Sequence, residues 1–261
     1  TSRYYALSTR LDPGAAELWA VVRSSLSLSP ESAQDLERAR EVVSARRTRS
    51  QEFFSSVAGQ WDAVRDELFG APEARALLAL MDPSWTVGDL GCGTGRLAET
   101  VAPFVARVVA VDESPDMLEG ARRRLADVQN VELREGRIEA LPIEDGSLDV
   151  ALLGLVLHYV VAPERALAEA ARVLKPGGRL LVLDMSAHGR EDYRERMGHV
   201  WQGFERAALE GWLEQAGFGR MVWHTMAPDP EAKGPLLFVA VATKAASTNT
   251  TTSTNTNPEG T

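Results

Sequence analysis

The 261-residue chain holds a single cysteine, Cys92, which excludes an intrachain disulfide and argues against a cysteine-based metal site. No apolar run is long enough to span a bilayer, and the first residues lack a charged-then-apolar secretory pattern. Positive charge is also short: 28 Lys and Arg stand against 37 Asp and Glu, a formal net charge of −9. That balance argues against non-specific nucleic-acid binding, whose affinity comes mostly from neutralising phosphates. The expectation is a cytoplasmic protein with neither nucleic acid nor membrane as a partner of this chain. What remains, 44% hydrophobic and 25% charged residues, is the composition of a globular protein. The length suits one α/β domain with an appended segment.

The appended segment comes first. Arg3 to Leu7 reads as the end of a strand, and Asp12-Pro13 as a helix start with proline at the first helical position. Leu18, Trp19, Val21, Val22 and Leu26 follow at helical spacing. Ser29-Pro30-Glu31 repeats the start signal, and a long polar helix is predicted through Arg49 into Phe53, Phe54 and Trp61. The cluster Arg38, Arg40, Arg46, Arg47 and Arg49 reads as a solvated face with salt bridges to Glu37 and Glu41. Residues 1–50 thus form a helical segment and 51–84 a helical lid or linker. They hold too little core to fold alone.

From Trp85 short apolar strands alternate with amphipathic helices, which predicts a parallel sheet covered on both faces. Strands are expected near 86–90, 107–111, 131–134, 148–153 and 179–184, with helices near 95–102, 115–126 and 163–174. Lys175-Pro176-Gly177-Gly178 reads as a helix stop and a turn into the fifth strand. Two last strands, near 221–226 and 236–243, are expected to pair as an antiparallel hairpin. The fold class is therefore α/β, a doubly wound, mostly parallel sheet of seven strands over 85–244. The Ser-, Thr- and Asn-rich run 245–261 is expected to be disordered.

The most informative stretch is Val87-Gly88-Asp89-Leu90-Gly91-Cys92-Gly93-Thr94-Gly95, where a strand gives way to a helix. Glycines there let the backbone turn sharply and approach a ligand closely. About twenty residues on, the next strand ends in Asp112, placed to accept hydrogen bonds from both ribose hydroxyls of a nucleoside. A dinucleotide fingerprint has a third glycine where this chain has Arg96, which would crowd helix against strand; this disfavours a nicotinamide-dependent oxidoreductase. The Lys-Ser/Thr pair of a phosphate-binding loop is missing too. A nucleoside cofactor without a pyrophosphate fits better, which points to S-adenosyl-L-methionine.

The stretch 87–95 closely resembles the glycine-rich motif of class I S-adenosylmethionine-dependent methyltransferases. Four further pieces, 109–112, 135–142, 147–159 and 171–184, fall in that family's order. The resemblance implies that Asp89 faces the methionine amino group, directly or through water. It implies that Gly91, Cys92, Gly93, Thr94 and Gly95 line the methionine and ribose, that Asp112 and the adjacent Glu113 hold the ribose side, and that Met117 packs on the adenine. Arg137 stands where the family often has Asp, with the Ile138 amide and Glu139 left to reach the adenine. Leu153 and Gly154 would border the methionine moiety. Cys92 reads as a small packing residue of the turn.

Methyl transfer from a sulfonium is an in-line displacement, so the protein mainly positions the acceptor and excludes water. A general base is needed when a hydroxyl or amine must lose a proton; a thiolate or a soft metalloid needs none. Candidate catalytic residues are His158 and Tyr159 after the fourth strand and His199, beside Trp201, after the fifth; His188 lies nearby. His158 reads equally as a helix residue satisfied by a backbone carbonyl. The histidine spacing gives no metal motif. Arsenite methyltransferases, which are similar to this family, hold arsenic with several cysteines that this chain lacks. The acceptor is expected to be a small molecule.

The N-terminal order, an aromatic strand and then two helices, resembles bacterial fusions of an ArsR-type winged-helix regulator to a methyltransferase. That resemblance implies that the chain begins inside the regulator's last strand. It also implies a homodimer through Leu18, Trp19, Val22 and Leu26, and, as an alternative function, a transcriptional regulator whose methyltransferase-like domain senses S-adenosylmethionine or S-adenosylhomocysteine. The other reading of this segment is a helical lid over the cofactor using Phe53, Phe54 and Trp61.

Overall fold

The computed structural model of the protein describes residues 12–27, 30–57, 73–228 and 232–246. The chain divides into two units, 1–72 and 73–261. The expected strand near Arg3, the aromatic Trp61 and the tail from 247 onward lie outside the described residues.

The first unit contains α1 (Pro13–Ser27) and α2 (Pro30–Val57). Helix α1 starts where the sequence signals it: Asp12 Oδ1 accepts the Ala15 N–H at 2.9 Å, which supplies a partner for one open donor of the first turn. On α2 two arginines of the basic cluster are paired within the helix, Arg38 with Asp35 and Arg40 with Glu37, each at 3.3 Å. Asp35 was not among the expected partners, but it lies three residues from Arg38, within reach on a helix surface.

The second unit is the seven-stranded sheet. Its strands are β1 (Thr86–Leu90), β2 (Arg107–Asp112), β3 (Val131–Glu135), β4 (Leu148–Gly154), β5 (Leu174–Met185), β6 (Val222–Thr225) and β7 (Leu237–Thr243). They lie in the order β3-β2-β1-β4-β5-β7-β6. The first five are mutually parallel, whereas β7 runs antiparallel between β5 and β6. The inner strands β1 and β2 are buried over nearly their whole length because both faces of the sheet are covered. One cluster on the sheet gathers Ala98, Leu118 and Ala121 from α3 (Arg96–Val101) and α4 (Pro115–Arg124). The other gathers Leu167 and Ala170 of α5 (Pro163–Val173) with Leu209 and Leu213 of α7 (Arg206–Gln215). Strand order reverses between β1 and β4, so the carboxyl ends of the central strands open into a crevice there.

Two elements differ from expectation. Leu174 already pairs with Leu148, so Lys175 to Gly178 sit inside β5 as an irregularity in the ladder, with Gly177 at φ 78°. Helix α7 and the short α6 (Glu191–Met197) occupy a stretch that the sequence reading left without elements.

Candidate active site

The turn after β1 is tied to the end of β2: the amides of Gly91 and Cys92 both donate to the Val111 carbonyl, at 2.8 and 2.9 Å. Gly91 has φ 78°, and a Cβ there would lie 2.4 Å from Val156 Cγ2. Glycine is required on both counts. Gly93, at φ 52°, faces open space with nothing within 4 Å of where a Cβ would be. Asp112 closes the turn: its Oδ2 accepts the Gly93 N–H at 2.8 Å and its Oδ1 the Ser114 N–H at 2.9 Å. Each carboxylate oxygen keeps lone-pair capacity for a further donor.

A cavity of about 440 Å3 opens over this turn. Gly91, Cys92, Gly93, Asp112, Glu113 and Met117 line one side of it. Arg137, Ile138 and Glu139, after β3, line another, and Gly154, Leu155 and Tyr159, after β4, a third. Four residues of the sequence-predicted set are not in the lining. Asp89 is 1% exposed, and its Oδ2 accepts the Ala98 N–H at 3.0 Å at the start of α3. The Thr94 carbonyl accepts from Arg124 Nε at 3.0 Å. Gly95, at φ 78°, is the N-cap of α3, and a Cβ there would lie 2.9 Å from Leu125 Cδ1, so it serves packing against the end of α4. Leu153 is fully buried in β4. Arg96 is exposed and crowds nothing; the close helix–strand approach is made at Gly154, where a Cβ would lie 2.3 Å from Leu97 Cδ1.

Electrostatics on the two sides of this cavity differ. Burial pushes the Asp89 carboxyl up to about 7, against the pull of the Ala98 amide and with a smaller push from Asp112. Burial likewise pushes the Cys92 thiol up to about 12, which keeps it protonated and unreactive at neutral pH. At the mouth Arg137 spans two carboxylates, Glu113 at 3.8 Å and Glu139 at 3.5 Å. Behind it Arg172 staples the chain that follows: it donates to the carbonyls of Leu141 and Ile143, and Glu169 accepts the Leu141 amide. The hydrogen bond to Glu169, then that to Asp145, holds the Arg172 guanidinium well above its ordinary range.

A second cavity, of about 560 Å3, lies on the other side of Leu155 and Tyr159, the two residues that line both. Leu155 is held at φ 55°, a left-handed conformation costly for a leucine, with its amide donating to the Leu183 carbonyl at 2.7 Å. His158, Tyr159 and His199 form one ring cluster in the lining, with His158 centred 4.4 Å from His199 and 4.2 Å from Tyr159. Backbone bonds bring it together. The amides of Val200 and Trp201 both donate to the His158 carbonyl at 3.0 Å, and Phe204 donates to Met185 at 2.9 Å. Gly203 permits the close crossing: at φ 73°, its Cβ would fall 2.3 Å from the Ser186 carbonyl oxygen. Trp201 turns the other way, packing on Trp212 and Phe204. His188 does not line the cavity; its Nδ1 accepts the Arg190 amide. Among the described residues no group of acidic, histidine or cysteine side chains is arranged to hold a metal ion.

The sequence reading missed Asp184. It is fully buried at the end of β5, and its Oδ1 lies 2.8 Å from His158 Nδ1. The amides of Met185 and His158 complete its partners, at 2.7 and 3.4 Å. It also missed the wall of the second cavity made by Met226, Pro228, Pro235 and Leu236.

Residues 88–182 match the methyltransferase domain family. An uncharacterized 37.1 kDa protein of transposon TN4556 from Streptomyces fradiae is 40% identical over 165 residues, which cover 59% of this chain and 47% of that protein. The chain thus spans about half the length of that relative. The ubiquinone/menaquinone biosynthesis C-methyltransferase UbiE of Methylobacterium nodulans is 30% identical over 230 residues, covering 73% of this chain and 91% of that protein. The chain belongs to the class I S-adenosylmethionine-dependent methyltransferases. The fold of this methyltransferase is shared with an S-adenosylmethionine-dependent methyltransferase from Mesorhizobium loti, at TM-score 0.57 and 21% identity over 67% of this chain and 99% of the other. The family's cofactor suits the first cavity: the open space at Gly93 admits a ligand against bare backbone, and Asp112 offers a carboxylate beside it.

Proposed function

We propose that the chain transfers a methyl group from S-adenosyl-L-methionine, held in the cavity over the Gly91–Gly93 turn, to a small-molecule acceptor held in the cavity beyond Leu155 and Tyr159. The observation that carries this reading is the adjacency of the two cavities through that pair of residues. When bound, the cofactor supplies a methyl group on a sulfonium, an electrophile that needs no activation by the protein. Asp112 accepts from the ribose hydroxyls, Met117 covers the adenine, and the Ile138 amide and Glu139 reach its edge. Arg137, paired to Glu113 and Glu139, steadies that edge in place of the acid usual at its position. Asp89 acts from below the turn, through the backbone of α3 or through water, because it does not line the cavity. Leu155 and Tyr159 keep the acceptor pointed at the cofactor cavity and limit water between the two. Relatives named as C-methyltransferases of quinone biosynthesis support an apolar ring as acceptor. The test is transfer of tritium from methyl-labelled S-adenosylmethionine to a panel of apolar ring compounds. Labelled product from any of them is expected; cofactor binding with no transfer to any acceptor supports instead a domain that senses the cofactor.

For the first unit, the homodimer that the ArsR-type reading implies is supported by exposed apolar residues on α1, with Leu18 67% and Trp19 and Val22 each 38% exposed. A second copy of the chain covering that face is expected to appear as a dimer in sedimentation at tens of micromolar. A monomer there removes this reading. No helix among the described residues is long and apolar enough to cross a membrane.

A further inference from the structure

We infer that His158, positioned by Asp184, is the general base for an uncharged apolar acceptor that carries a weakly acidic hydroxyl of the phenol type. The inference rests on the methyltransferase reading of the paired cavities and adds the acceptor's chemical class and the residue that takes its proton.

The dyad is built rather than incidental. The Asp184 carboxylate is fully buried between β5 and the segment after β4, and three donors converge on it: His158 Nδ1 and the amides of Met185 and His158. A carboxylate that accepts from Nδ1 fixes that nitrogen as the protonated one, which leaves Nε2 with the lone pair. His158 lines the acceptor cavity, so Nε2 is the basic atom the ring has to offer there. His199 backs the ring on one side. Burial holds its imidazole below the ordinary histidine range, with the neighbouring His158 and His188 adding to the effect, so it stays neutral beside a base that gains charge during reaction. Tyr159 flanks the same ring and also borders the cofactor cavity, which sets the base beside the path between the two cavities.

The rest of the lining selects the acceptor. Met185, Met197, Met226, Pro228, Pro235 and Leu236 form an apolar wall, and no Lys, Arg, Asp or Glu lines this cavity among the described residues. A carboxylate, phosphate or ammonium on the acceptor would be desolvated there with no Lys, Arg, Asp or Glu partner among the described residues, which costs several kcal/mol. Methionines adapt to flat rings through thioether–aromatic contacts. A phenol, unperturbed near a pKa of about 10, is mostly un-ionised at neutral pH and needs its proton removed as the new bond forms. A thiol needs this far less, and a buried Asp–His pair would then have no task. In the reaction the acceptor O–H proton passes to His158 Nε2. The oxygen's electron pair forms the new O–CH3 bond, the pair of the breaking S–CH3 bond stays on sulfur, and S-adenosylhomocysteine leaves with a protonated His158 that returns its proton to water.

The experiment measures kcat/KM on the full chain for three probes, 2-naphthol, 4-nitrophenol and 2-naphthalenethiol, in wild type, His158→Gln and Asp184→Asn. Calorimetry with S-adenosylhomocysteine confirms that each variant is folded and binds the cofactor product. The His158 carbonyl, which anchors Val200 and Trp201, is unchanged by the substitution. Wild type is expected to methylate both phenols on oxygen. His158→Gln should lose about 100- to 10,000-fold on 2-naphthol yet about tenfold or less on 4-nitrophenol, which is already ionised near neutral pH. Asp184→Asn should show the same pattern at smaller amplitude. Equal losses on both phenols with ligand binding kept would make the dyad merely structural and overturn the assignment. So would a carbon-methylated product, or a wild type that methylates the thiol and neither phenol. A wild type that binds no S-adenosylhomocysteine would instead bring down the methyltransferase reading beneath it.

Discussion

Replacing Asp89 by asparagine should stabilise the unliganded protein in a pH-dependent way. Its carboxyl sits 1% exposed at the end of β1, and burial raises it from 3.8 to about 7. Below about pH 3.8 both folded and unfolded chains hold this proton, and the group costs nothing. Between 3.8 and 7 the unfolded chain releases the proton while the folded one keeps it, so stability falls by about 1.4 kcal/mol for each pH unit gained. Above 7 the whole cost, roughly 4 kcal/mol, is present. Asparagine retains an oxygen for the Ala98 amide and removes the ionisation. At pH 8 the variant should therefore melt higher by about 8–16 °C, at about 2–4 °C per kcal/mol for a domain of this size. At pH 4.5 the gap should shrink below about 1 kcal/mol. Thermal unfolding of both proteins from pH 4.5 to 8.5, without ligand, measures this. A variant less stable than wild type by a constant amount at every pH would mean that the Asp89 carboxyl is not held protonated by burial.

Cys92 offers a chemical check on the same turn. With its thiol pushed up to about 12 from 9.0, alkylation by iodoacetamide at pH 8 should run about 1000-fold slower than for a free cysteine and reach the free rate in denaturant. A native rate within tenfold of the free thiol would contradict the buried placement. Gly203→Ala places a Cβ against the Ser186 carbonyl and forces a side chain onto φ 73°, so urea unfolding should show a loss of about 2–4 kcal/mol. The Gly198 position has φ 73° but open space around its Cβ, so Gly198→Ala should lose only about 1 kcal/mol. Equal losses at the two would remove the argument from the crossing at Ser186.

What the sequence made legible was local. The turn at Gly91–Gly95, the acid at the end of β2 and the strand–helix alternation are read within windows of about twenty residues, where spacing dictates geometry. The placement of β7 between β5 and β6 was not legible, because antiparallel pairing of the last two strands is compatible with more than one position beside β5. Asp184 escaped notice for a related reason. It ends a strand in an apolar run, where a lone acid reads as a strand terminus, and its partner His158 is 26 residues away. The signal was present in both residues lying at the carboxyl ends of parallel neighbours, His158 just after β4 and Asp184 within the last residues of β5. The apolar spacing of Leu209, Trp212 and Leu213 was a readable sign of α7, obscured by Gly211 in the helix interior. Leu153 and Gly95 were assigned to the ligand, although their sides of the backbone face the core and a neighbouring helix. Alternation along β4 separates Leu153 from Gly154, and one residue of register decides which of them meets the cavity.

The most direct test of the account is calorimetric titration of the purified chain with S-adenosylmethionine and S-adenosylhomocysteine, beside Asp112→Ala. Wild type is expected to bind both ligands, and Asp112→Ala to bind them about 100-fold or more weakly, as charged hydrogen bonds to two hydroxyls are lost. Binding of equal strength in the two proteins, or none by folded wild type, would contradict the placement of the cofactor over the Gly91–Gly93 turn.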